Sequence, residues 1–188
     1  MAETLEQAYL AGAAREFRRL KKLADDALVQ ISEVEFFHRP DAASNSVALI
    51  VKHVAGNLRS RWTDFLTADG EKPDRRRDQE FEIAAGDTRE ALLHRWEEGW
   101  LQVFETMDSL APADLKKTVF IRSEPHSVLE AIQRQLAHNA WHAGQIVFLA
   151  KHLRAGEWKT LSIPRGKTEE FNARMRERFR GAKRRFPD

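Results

Sequence analysis

Ser127-Val-Leu-Glu-Ala-Ile-Gln-Arg-Gln-Leu-Ala-His138-Asn-Ala-Trp-His142-Ala-Gly-Gln145 decides how this 188-residue chain is read. Ser127 and Glu130 have capping-box spacing, in which a hydroxyl accepts from an orphan amide while the glutamate reaches back to the cap. A helix is therefore expected from Ser127 to about Leu153, with Gly156 just past its end. His138 and His142 lie four apart in it, on one face and one turn apart, close enough to chelate a single ion. The spacing by itself is a weak motif, because seven histidines scattered over this chain give about 0.2 such pairs by chance. The run His138-Asn-Ala-Trp-His142 lacks Glu at its second position, which excludes the zinc-protease helix.

Helical periodicity extends upstream. Leu5, Tyr9, Ala13, Phe17, Leu20, Ala24, Leu28 and Ile31 recur at threes and fours after Thr4 and predict a first helix closing before Pro40. A second is expected from about Ser46 to Thr67, with Gly70 as its stop. A third begins near Asp87, with Glu90 three residues on, and carries Leu92, Trp96, Trp100, Val103, Phe104 and Met107 down one face until Pro112. The stretch from Lys117 to Arg122 is expected to be extended, and a shorter fifth helix starts at Thr168. Gly70 to Gly86, with Pro73 and Arg75-Arg76-Arg77, reads as a long connection. With no convincing alternating strands, the expected fold is all-α: a four-helix bundle over residues 1–156 and a C-terminal extension over 157–188.

Composition agrees with long solvated helices: charged residues reach 32%, above the roughly 25% of an average domain, and Gly and Pro are few. The absence of cysteine excludes disulfides, thiolate metal sites, CxxC redox chemistry and a cysteine nucleophile. No apolar run approaches the roughly 20 residues needed to span a bilayer, and the first residues lack a basic flank and an apolar stretch. A soluble, cytoplasmic protein is the expectation. The net charge is +2, but Phe171 to Asp188 holds seven basic and two acidic side chains, a local +5 that leaves −3 for the rest.

His53 sits midway through the apolar segment Val47-Ala-Leu-Ile-Val-Lys-His53-Val-Ala, where an imidazole must be hydrogen-bonded or ligating to offset its burial. Asn57 and Arg61 share its helical face, and the His138 face carries Arg134, Gln135 and Gln145, so two otherwise apolar helices each have a polar stripe. If the stripes face one another they form a polar cavity. Three histidines would then supply the neutral nitrogen set of a divalent ion and leave a position for water or substrate. A buried hydrogen-bond network without metal is the alternative.

At these residues the sequence resembles a known group. Asn45-Ser-Val-Ala-Leu-Ile-Val-Lys-His53-Val-Ala-Gly-Asn57-Leu-Arg-Ser-Arg-Trp62, followed by Arg134-Gln-Leu-Ala-His138-Asn-Ala-Trp-His142-Ala-Gly-Gln145, is similar to the DinB-like (YfiT-like) superfamily over roughly Thr4 to Gly156. The resemblance implies an up-down-down-up four-helix bundle, homodimers, and a divalent metal held at His53, His138 and His142. It also implies a small-molecule substrate, since some relatives transfer low-molecular-weight thiols such as bacillithiol or mycothiol. Trp158 through Ser162-Ile-Pro-Arg-Gly166 resembles a subgroup of those relatives with no role attached.

Zinc and nickel are both expected cofactors, because imidazole serves either. Such an ion would favour the thiolate of a bound thiol or lower the pKa of bound water, giving thiol transfer or hydrolysis. Arg61 and Arg134 are candidates to hold a substrate carboxylate, or to form interhelical salt bridges. Glu130 and Glu35 are weighed as general bases, but capping explains each more simply, and the catalytic residues stay unassigned. His38, His94, His126 and His152 are left outside the site, and Trp62, Trp96, Trp100 and Trp141 read as core or interface aromatics. Two other functions remain open. One is a non-catalytic metal- or ligand-binding protein; the other is a nucleic-acid-associated protein acting through the basic tail together with Arg75 to Arg77.

Overall fold

A computed structural model describes residues 3–180 of the chain, which is mostly helical. The helices are α1 (Leu5–Leu28), α2 (Glu33–Phe37), α3 (Val47–Trp62), α4 (Arg89–Ser109), α5 (Val128–Arg154) and α6 (Thr168–Arg178). A hairpin of β1 (Thr118–Ile121) and β2 (Glu124–Ser127) precedes α5. The four long helices α1, α3, α4 and α5 enclose one core, with α1 packed chiefly on α5, α3 chiefly on α4, and α3 also facing α5. Phe17 of α1 holds the centre, edge-on to Trp62 of α3 at 5.5 Å and to Trp100 of α4 at 6.4 Å.

The helix starts follow their caps. Thr4, Ser32, Ser46, Thr88 and Ser127 each accept from an amide of the first turn, and Ser127 with Glu130 closes the expected capping box. The first helix closes before Pro40 as expected, at Leu28, and leaves Ile31 of the expected stripe outside it. Ser32 and Glu35 form a second capping box that starts α2, and the Arg89 guanidinium donates to the carbonyls of Leu28 at 2.7 Å and Ile31 at 2.8 Å, satisfying the acceptors left open where α1 ends. The second helix stops at Trp62 rather than Thr67, because Thr63 is extended and Asp64 turns into the left-handed region at φ 50°. Thr88, not Asp87, caps α4. The Asp87 carboxylate is occupied elsewhere, by Lys52 Nζ at 2.6 Å and Arg95 Nη1 at 3.0 Å.

Lys117 to Arg122 is extended as expected over β1, but its antiparallel pairing with β2, from Thr118↔Ser127 to Ile121↔Glu124, corrects the reading that strands are absent. The turn residues Arg122 and Ser123 both have positive φ, 55° and 65°, without the Asn-Gly or Gly that usually marks such a turn. Asp69 compensates for this. Its carboxylate accepts from the Arg122 amide at 2.8 Å and the Ser123 amide at 2.7 Å. Gly70 is not a helix stop; its amide donates to Phe120 O at 2.8 Å, and a Cβ there would lie 3.1 Å from Arg61 Cδ.

The short last helix, α6, begins at Thr168 as expected and buries no residue. It carries Arg174, Arg176 and Arg178, whereas Lys183, Arg184 and Arg185 lie outside the described residues. Among the described residues no helix is long and apolar enough to cross a membrane.

Candidate metal centre

The faces of α3 and α5 that carry polar stripes do meet. Their antiparallel contact brings His53, His138 and His142 together with one ligand atom from each within 4.8 Å of the others. His53 Nε2 stands 3.3 Å from His138 Nε2, and the His142 ring centroid is 5.0 Å from that of His53 and 4.5 Å from that of His138. His53 is buried, and the other two are partly buried.

The Nδ1 atoms decide what the Nε2 atoms can do. His53 Nδ1 is 2.8 Å from Glu80 Oε2 and His142 Nδ1 is 2.8 Å from Gln145 Oε1, both oxygen acceptors, so each Nδ1 carries the proton and each Nε2 a lone pair. His138 Nδ1 lies 3.5 Å from both Asn139 Oδ1 and Gln135 Nε2, but Gln135 Nε2 has two hydrogens and gives them to Asn57 Oδ1 and Asn139 Oδ1, so the Asn139 oxygen is the partner left for Nδ1 and the ring takes the same polarity. Two lone pairs facing one another at 3.3 Å repel unless a cation lies between them. In a tetrahedral site with metal–nitrogen bonds of 2.0–2.1 Å, two ligand nitrogens stand about 3.3–3.4 Å apart. The His53 and His138 nitrogens therefore fit a divalent ion by chemistry and by span, and His142 offers a third nitrogen within 4.8 Å of them.

Glu80 is the residue that the sequence did not reveal. It follows the 70s segment read as a connection, 27 positions from His53, where spacing gives no sign of contact. That segment folds over α3, and Arg75 grips the Glu80 carboxylate through Nε at 2.8 Å and Nη2 at 3.0 Å. Burial alone would raise the Glu80 carboxyl, but the hydrogen bonds from His53 and Arg75 outweigh it and hold the group below the usual carboxylate range. Gly56 makes room for this: a Cβ there would fall 2.5 Å from Glu80 Oε1. Arg75 is only 4% exposed at its side chain and also meets Glu71 at 3.1 Å, so it is not the free cation that the Arg75 to Arg77 run suggested.

Burial pushes the His138 imidazole down to about 3, reinforced by its neighbours His142 and His53. Burial also lowers His142, with His53 adding to it. These rings stay neutral, as ligands must. Phe81 stacks on His53 at 4.8 Å and Trp141 on His142 at 5.6 Å. Trp141 is 67% exposed, so it is a rim aromatic rather than a core one, while Trp62, Trp96 and Trp100 are core.

The triad opens into a cavity of about 400 Å³ that also contains every other residue of the two stripes: Asn57, Arg61, Arg134, Gln135 and Gln145. Gln135 Nε2 donates to Asn57 Oδ1 at 3.1 Å and to Asn139 Oδ1 at 2.7 Å, an amide chain that ties α3 to α5 beside His138. Arg134 reaches outward to Glu124 Oε2 at 3.1 Å. Glu130 and Glu35 cap their helices, and hydrogen bonds from Ser127 and Ser32 hold their carboxyls low. His94 pairs with Glu98, His126 lies between Glu124 and Arg134, and His38 and His152 end helices; none joins the cluster.

The comparison with curated proteins finds no match. A family described as a protein of unknown function (DUF1572) matches residues 4–167, which takes in α1 to α5 and all three histidines. On that match the chain belongs to the DUF1572 family.

Proposed function

We propose that the protein is a metal-dependent enzyme of the DinB-like type, a four-helix bundle of up-down-down-up order whose last residues, 157–188, form an extension. A divalent ion, zinc or nickel, is held by His53, His138 and His142, and the reaction is transfer of a low-molecular-weight thiol or a hydrolysis. The observation that carries the reading is the 3.3 Å approach of His53 Nε2 and His138 Nε2, with an oxygen acceptor beside the Nδ1 atom of each ring. The family match and the quoted His53 and His138-to-His142 motifs support it.

The chain's own residues each have a task in this scheme. Glu80 holds the proton on His53 Nδ1, Arg75 keeps Glu80 ionised and fixed, and Gln145 does for His142 what Glu80 does for His53. A bound divalent cation supplies Lewis acidity, which favours the thiolate of a thiol or the deprotonated form of water at neutral pH. The amides of Asn57 and Gln135 offer the substrate hydrogen bonds beside the triad, and Trp62 and Phe65 give the cavity an apolar wall. Among the described residues no carboxylate lines the cavity, which favours a second reading, a metal-bearing ligand-binding protein without turnover.

Metal analysis of protein purified without a histidine tag tests the centre. One divalent ion per chain is expected, and His142→Ala should lose it while helical circular dichroism stays nearly intact. Equal metal content in the variant, or none in the parent, counts against the triad. Stoichiometric metal with no turnover of thiol or hydrolysable substrates selects the second reading.

A further inference from the structure

The wall of the cavity beyond the histidines has an unbalanced composition. Arg61, Arg75, Arg77, Arg122 and Arg134 line it, and among the described residues no Asp or Glu does. Four of these are engaged: Arg75 by Glu80 and Glu71, Arg122 by Glu71, Arg134 by Glu124, and Arg77 over the Phe81 ring at 5.1 Å. Arg61 differs. Its side chain is 12% exposed, its Nη1 is fully buried without a hydrogen-bond partner, and its ion-pair contact is Glu71 Oε2 at 3.5 Å, an oxygen already shared with Arg75 and Arg122.

A guanidinium removed from water without hydrogen bonds is costly unless an anion meets it. Burial, with Arg75 next in effect, lowers Arg61 to about 10, which still leaves it charged at neutral pH. Neither Asp69, which feels the charge of Arg61, nor Glu71 is in the cavity lining. The side chain is held in place by Gly70, whose missing Cβ gives Arg61 Cδ its room. Arg61 lies eight residues after His53 on α3, about 12 Å along the helix axis at 1.5 Å per residue, with Asn57 between them. The cavity is thus graded from neutral nitrogen ligands through amides to an under-satisfied cation.

We propose that the site takes an organic anion, a carboxylate-bearing small molecule, whose carboxylate is received by Arg61 while the rest of the molecule extends along the amides toward the histidines. The assignment deepens the reading of this cavity as the substrate site, but Arg61 recognises charge whether or not the histidines hold metal. Arg134, the other arginine suggested by the sequence, is tied to Glu124 at the surface and is not the receptor.

The test compares two probes of equal size and shape, hexanoate and hexanamide, titrated into the full chain by NMR in metal-loaded and in chelator-treated samples. The acid should bind about tenfold tighter than the amide in both samples, the gain expected of charge-assisted over neutral hydrogen bonds. Arg61→Gln should remove the difference with circular dichroism unchanged. Arg61→Lys, which keeps the charge but loses the planar fork, should retain part of it and covers the case in which the glutamine variant does not fold. Equal binding of acid and amide overturns the proposal, as does a preference that survives Arg61→Gln. A preference seen only with metal also overturns it, because the carboxylate would then be sitting on the ion. A parent that binds no metal yet prefers the acid through Arg61 would sink the metalloenzyme reading and leave this one standing.

Discussion

A single hydrogen bond controls the orientation of His53, and its partner Glu80 was invisible in sequence. The triad itself was legible: His138 and His142 are forced onto one face by helix geometry, and His53 stood out as a polar group in an apolar helix. Glu80 could not be read, because only tertiary folding of the 70s segment brings it across 27 residues. Glu80→Gln leaves His53 Nδ1–H an acceptor but removes the charge, so metal affinity should fall about 10- to 100-fold, as for other outer partners of metal-bound histidine; unchanged affinity by competition with a chromophoric chelator would count against the orienting role. The depressed histidines also set a pH dependence for the metal-free protein. An unfolded histidine takes up its proton near pH 6.5, while folded His138 refuses one until about 3. The unfolded state therefore binds more protons across that window, and stability falls as the pH drops from 6.5 toward 3, by up to about 1.4 kcal/mol per pH unit for each such ring. Thermal unfolding of chelator-treated protein should show a flat transition temperature above pH 7 and a fall below 6.5. A flat profile down to pH 5 would contradict it.

Local rules located the helices well wherever the cap lies next to the element it caps, as at Ser127 and Glu130. They failed where a distant side chain decides. Arg89 of α4 ends α1, and Asp69 supports the turn at Arg122 and Ser123 from more than 50 residues away. The hairpin had no turn signature because neither turn residue is suited to positive φ, and the strain is offset by a carboxylate that no local window includes. Two substitutions of opposite sign follow from this. Ser123→Gly, at φ 65°, should stabilise the protein by up to about 1 kcal/mol. Asp69→Ala should destabilise it by about 1–2 kcal/mol, by removing the acceptor of two turn amides. Urea denaturation reads both, and equal midpoints for the two variants would refute the account.

Over the whole molecule, the tryptophans read as core or interface aromatics divide between the two. Trp96 and Trp100 of α4 are 2% exposed and belong to the core, so neither serves an interface. Exposed aromatics instead lie on α5, where Trp141 and Phe148 stand seven positions apart, two turns along one face. With the resemblance, this supports the proposed homodimer. Light scattering at micromolar concentration should give twice the 21.7 kDa chain mass, and Phe148→Glu should shift it toward the monomer. A monomeric parent rejects the dimer without touching the metal centre.

The Asp69 brace also couples two distant parts of the chain. A short hairpin is marginal in isolation, and one whose turn holds two left-handed side chains is less favourable still. Its compensation comes from the loop after α3, across more than 50 residues of chain, so the turn and that loop hold one another in place. Val119, Phe120 and Ile121 of the hairpin line the cavity, so that wall depends on a carboxylate supplied from outside the hairpin. The shape of that wall is set from two sides at once, by the hairpin's own pairing and by the segment that carries Asp69.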